Sequence, residues 1–87
     1  MRYHEAVVAW PERVEAMREQ AANVRLAQLE ALVLHIGYRF DRQRGSHRIY
    51  HRDGMPTINL QKAKGGKAKP YQVRQVLAII EEHGIEV

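Results

Sequence analysis

No cysteine occurs among the 87 residues, which excludes a disulfide-stapled scaffold, a thiolate zinc site and a cysteine nucleophile. No apolar run approaches the roughly 20 residues that span a bilayer. Met1 to Ala9 lack the basic stretch and apolar core of a secretory signal, so a cytoplasmic location is expected, without membrane contact. No internal repeat is visible. What is present reads as globular: 45% hydrophobic and 28% charged residues. At this length one small domain is the limit, and such a domain buries only roughly 60% of its unfolded surface.

Acids are scarce in the centre of the chain. Between Arg39 and Lys69 nine basic residues face only Asp41 and Asp53, a balance of +7 inside a chain of net charge +4. The flanks therefore carry −3. A basic centre between weakly acidic flanks is the footprint of a polyanion partner, most simply nucleic acid, although a merely solvated surface has the same composition.

The order of elements follows from periodicity. Tyr3, Val7, Trp10, Val14, Met17 and Ala21 alternate at spacings of four and three, an amphipathic helical stripe. Pro11 interrupts it, so the helix is either kinked or starts anew with Pro11 in its first turn. Asn23 is placed to cap a helix beginning at Val24, with Leu26, Leu29, Leu32, Val33 and Ile36 on one face and Gly37 at its stop. Strands are expected over 38–43, 46–52 and 56–61. Arg44-Gly45 and Asp53-Gly54 are the candidate turns between them. A basic loop, 62–69, leads to Pro70, which opens a last helix bearing Val73, Val76, Leu77 and Ile80, with Gly84 beyond its end. This order predicts an α+β fold with helices on one face of an antiparallel meander.

Two-residue turns would set Arg42 opposite His47, Phe40 opposite Ile49, Ile49 opposite Ile58 and His47 opposite Leu60. One face would then carry Tyr38, Phe40, Ile49, Ile58 and Leu60 under the helices, with Arg42 and His47 at its end. Arg39, Asp41, Gln43, Arg48, Tyr50, Arg52, Thr57 and Asn59 would face the other way. A one-residue bulge would flip part of this assignment.

On that count His47 lies at the sheet edge beside Arg42, near Gln61 and the lysine loop. These are groups able to hold a phosphate and move a proton next to it. The blander reading is a rim histidine satisfied by a backbone carbonyl. Other chemistries fit less well. Ser46 and His47 are adjacent on a strand and point to opposite faces, so they do not make a nucleophile–base pair. His4, His35, His47, His51 and His83 have no zinc-like spacing. Gly65-Gly66-Lys67 lacks the full phosphate-binding loop pattern.

The run Gly37-Tyr38-Arg39-Phe40, followed by Arg42-Gln43-Arg44-Gly45-Ser46-His47-Arg48-Ile49-Tyr50, resembles the core of HicA toxins. These are the small ribonuclease partners of bacterial HicA–HicB toxin–antitoxin pairs. Lys69-Pro70 opening a helix with Arg74 and Leu77, then Gly84-Ile85, extends the resemblance over 24–85. It implies a double-stranded-RNA-binding-domain-like fold, helix–three-stranded antiparallel sheet–helix, in agreement with the periodicity. It also implies messenger-RNA cleavage, a HicB-type antitoxin partner, and His47 as the catalytic residue; no cofactor or metal is expected. The third strand of many members ends in Pro-x-His, where this chain has Asn59-Leu60-Gln61. Residues 1–22 lie outside the usual toxin. They are expected to add a helical extension to a domain at 23–87, with an apolar stripe for the core, a second copy or the antitoxin.

Three readings follow. The first is a metal-independent endoribonuclease. Here His47 is the proton-transfer group, and the RNA contacts come from Arg42, Arg44, Arg48, Lys62, Lys64, Lys67 and Lys69. The second is a non-catalytic module that grips RNA by shape and phosphate. The third is an interaction protein dominated by its N-terminal helix.

Overall fold

A computed structural model describes residues 9–87, so Tyr3, His4 and Val7 lie outside the described residues. Helix α1 spans Trp10–Glu19 with Pro11 in its first turn, where the missing N–H costs no hydrogen bond. The helix that starts anew is therefore the one observed. It buries Val14 and Met17 in the domain's own core, and Trp10 stacks on His35 at 4.5 Å between ring centres. After a tight turn at Ala21–Asn23, helix α2 runs Leu26–His35. It starts two residues later than expected. Asn23 lies in the preceding turn, its amide donating to Gln20 Oε1, and the Arg25 N–H instead donates to Gln28 Oε1 at 2.9 Å.

The end of α2 is closed twice. Gly37 has φ +96°, which lets Tyr38 N–H donate to Val33 O and Gly37 N–H to Leu34 O, the paired bonds of a Schellman motif. Arg52 also donates to Ile36 O at 2.7 Å, its Nε lying 3.4 Å from where a Cβ on Gly37 would sit.

Strands β1 (Arg39–Arg44), β2 (His47–His51) and β3 (Ile58–Gln61) form an antiparallel sheet in that order. Its register departs from the expected one at both turns. Arg44 pairs with His47, so the first turn is Gly45-Ser46, and a bulge at Asp41 separates Phe40↔Tyr50 from Arg42↔Ile49. Between β2 and β3, Tyr50 pairs with Ile58, and six residues, 52–57, connect the two strands. Asp53-Gly54 turns inside that connection rather than forming a two-residue hairpin, with Met55 N–H on Arg52 O.

The consequence is an exchange of faces along β2. Tyr50, not Ile49, is buried with Ile58 and Leu60, and Arg48 lies on that covered side. Ile49, Arg42 and His47 lie on the open side. Tyr38, Ile58 and Leu60 are inside, as the sequence predicts, and Tyr38 donates to Pro56 O at 2.8 Å. Phe40 is on the covered side but 44% exposed, edge-on to Tyr50.

Helix α3, Pro70–Glu82, buries Val73, Val76, Leu77 and Ile80 and ends before Gly84, φ +60°. Together α1, α2 and α3 cover the sheet side bearing Tyr50, Ile58 and Leu60. The result is an α+β arrangement, helix–sheet–helix of the double-stranded-RNA-binding type with an added N-terminal helix. The 62–69 segment is fastened to the domain by Ala68 N–H on Val24 O at 2.8 Å and Ala63 N–H on Lys67 O at 2.7 Å. Among the described residues no helix is long and apolar enough to cross a membrane.

Candidate active site on the open face of the sheet

Antiparallel partners share a face, so the observed register gathers Arg44, His47 and Gln61 in one row, and Arg42, Ile49 and Asn59 in the next. No helix covers these rows. His47 is half-buried, and its Nδ1 lies 3.0 Å from Asn59 Oδ1. With the amide oxygen toward the ring, Nδ1 carries the proton and donates it. Nε2 of the neutral ring is then an unprotonated acceptor. The same bond survives if Nε2 takes up a proton, because Nδ1 stays a donor in the imidazolium.

Gln61 forms the other wing. Its Nε2 donates to Ser46 Oγ at 2.9 Å, and its Oε1 accepts from Lys69 Nζ at 2.9 Å. Its backbone N–H donates to Oε1 of the buried Gln72 on α3, also at 2.9 Å. Ser46 is thus bonded to Gln61, which leaves His47 facing Asn59.

The other predicted site residues separate into groups. Arg44, directly opposite His47, is exposed and has no ion-pair partner among the described residues. Arg42 shares that face and pairs with the adjacent Asp41. Lys62 and Lys64 are exposed, and Lys67 Nζ points toward Asn23 Oδ1 at 3.4 Å. Arg48 is on the covered side, where its Nε and the Tyr50 hydroxyl both donate to Glu30 Oε2 at 2.5 Å. The Arg48 guanidinium also lies over the Phe40 ring at 4.6 Å. Burial, then the bond to Glu30, push the Tyr50 hydroxyl above its ordinary pKa, while the bonds to Tyr50 and Glu30 raise that of Arg48. The arrangement ties β2 to α2.

Asn59 is the residue that sequence reasoning missed, because the expected register put it on the face opposite His47. The available signal was Gln61. Residues two apart on a strand share a face, so placing Gln61 near His47 should have brought Asn59 with it.

Among the described residues no cluster of three or more His, Asp or Glu side chains could hold a metal. A groove of about 730 Å³ lies between α1 and α2, and one of about 270 Å³ between β3 and α3. His47 lines neither. Its surroundings are an open, positively charged surface that suits a polymer lying across it better than an enclosed small molecule.

A family model described as HicA toxin of bacterial toxin-antitoxin matches residues 27–85. No curated protein and no solved structure matches the chain.

Proposed function

The chain belongs to the HicA toxin family, and from that premise we propose that it is a metal-independent endoribonuclease that cleaves messenger RNA and so inhibits translation. The nucleophile is the substrate's own 2′-hydroxyl. His47 Nε2 takes the hydroxyl proton as O2′ bonds to the adjacent phosphorus. The P–O5′ bond breaks, its electron pair leaves with O5′, and that oxygen takes a proton from solvent. The products are a 2′,3′-cyclic phosphate and a 5′-hydroxyl end.

The observation that carries this reading is the His47–Asn59 hydrogen bond on an uncovered, basic sheet face. Asn59 orients the ring and stabilises the imidazolium that forms. Cations beside His47 stabilise the extra charge on the phosphorane. Arg42, Arg44, Lys62, Lys64 and Lys67 hold flanking phosphates, a contribution that falls with salt. Arg48, engaged with Glu30 on the covered side, serves the fold.

A ribonuclease of this kind must be restrained, and a HicB-type antitoxin would do so by covering His47 and the 62–69 loop with acidic side chains, in competition with RNA. An antitoxin found to leave His47 open would require control from a distance.

The test is incubation of purified protein with RNA in chelator. Wild type is expected to cut. His47→Ala is expected to lose about 10² to 10⁴ in rate, with unchanged thermal melting, as removal of a proton-transfer group does. Wild-type cleavage by a well-folded His47→Ala variant would remove His47 from the mechanism.

A further inference from the structure

Several cations surround His47, and a phosphorane needs one in a fixed place. We propose that Lys69 is that cation, and that Gln61 is the positioning residue that holds it at the reacting phosphate. The inference rests on the ribonuclease reading above and assigns a role within it.

Gln61 is the cross-strand partner of His47 on the open face. Both ends of its amide are occupied: Oε1 by Lys69 Nζ and Nε2 by Ser46 Oγ, each at 2.9 Å. Its backbone is fixed as well, through Oε1 of Gln72, which is only 3% exposed. Lys69 is anchored at its other end. Its carbonyl accepts the N–H groups of Gln72 and Val73, and Pro70 follows it as the first residue of α3. The half-buried lysine is therefore held at both ends, with its head over the end of β3. An ammonium has three N–H donors, and Gln61 takes one. Two remain for the non-bridging oxygens of a phosphate beside His47.

The rival cations are placed differently. Arg42 is partly neutralised by Asp41. Lys67 is directed to Asn23. Arg44 faces His47, but no side chain among the described residues holds it. A donor fixed before the reaction stabilises developing charge without reorganising, and that distinguishes Lys69 from Arg44.

The experiment is steady-state RNA cleavage in chelator. Lys69→Ala is expected to lower kcat about 10²-fold, the lower end for loss of one transition-state donor, with KM nearly unchanged. Gln61→Ala is expected to lower kcat about tenfold. The double variant should be no slower than Lys69→Ala alone, since Gln61 acts through the lysine. The absence of native cysteine gives a control within one folded protein: Lys69→Cys should be slow as purified and regain most of its kcat after alkylation with 2-bromoethylamine, which restores an amine at that reach.

The inference is overturned by a Lys69→Ala effect confined to KM and its salt dependence, by losses that multiply in the double variant, or by no recovery on alkylation. If Arg44→Ala showed the large kcat loss and Lys69→Ala did not, the role would pass to Arg44. A wild type that cuts RNA while His47→Ala does not leaves the ribonuclease reading standing whatever these variants do. A wild type that fails to cut overturns that reading, and this inference with it.

Discussion

The two faces of the sheet use similar residue types to opposite ends. On the covered side a cation, an acid and a hydroxyl (Arg48, Glu30 and Tyr50) bond to one another and tie β2 to α2. On the open side a histidine, two amides and a lysine also form contacts, but the histidine and the lysine keep capacity free. His47 keeps Nε2, Lys69 keeps two donors, and Arg44 remains unpaired among the described residues. Polar groups tied between elements stabilise a fold, and groups fixed in place with donors or acceptors to spare present chemistry. The bulge at Asp41 and the Gly45-Ser46 turn set this division, because together they decide which of Ile49 and Tyr50 points inward.

Truncation of Tyr50 and of Ile49 gives the largest expected difference between the two faces. Tyr50→Ala should lower unfolding free energy by about 3–5 kcal/mol, as for other large buried rings, and Ile49→Ala by less than about 1 kcal/mol. Urea unfolding measures both, and the reverse ranking would restore the register that places Ile49 inside. A smaller effect is expected at Asn59. Removing its amide in Asn59→Ala should slow cleavage roughly tenfold, in line with one neutral hydrogen bond. Two-bond nitrogen–proton NMR should show His47 changing from Nδ1–H alone to a mixture of tautomers, and an unchanged ring spectrum would deny Asn59 its role. The smallest effect belongs to the loop. Replacing Lys62 and Lys64 by Gln should weaken RNA binding across sequences and reduce the slope of log affinity against log salt by about 1.4, for two single-strand phosphate contacts. An unaltered slope would make these lysines solvent groups only.

Much of this architecture was legible in the sequence, and the gaps have physical causes. The helical stripes, Pro70 at a helix start, and Gly37 and Gly84 at helix ends were readable, because each depends on local backbone sterics, whereas Pro11 left a kink and a helix start open and the helix start is observed. Ile58 and Leu60 were placed correctly, since strand alternation alone puts them inside. β2 was not. An isoleucine is the more obvious core residue than a tyrosine, and only Glu30, distant in sequence, makes a buried Tyr50 hydroxyl acceptable. A bulge leaves no clear mark in composition, so Asp41 gave no warning. His47 was singled out by its surroundings and by the family resemblance, although for a different position on the sheet. Its partner Asn59 was lost with the register.

In the proposed reaction an open-face histidine lets RNA cut itself through its own 2′-hydroxyl. The most direct measurement is the chemistry of the ends left by wild-type protein in chelator. A 2′,3′-cyclic phosphate paired with a 5′-hydroxyl is the predicted outcome. A 3′-hydroxyl paired with a 5′-phosphate would mean that water, not the ribose, attacked the phosphorus, and would contradict the account.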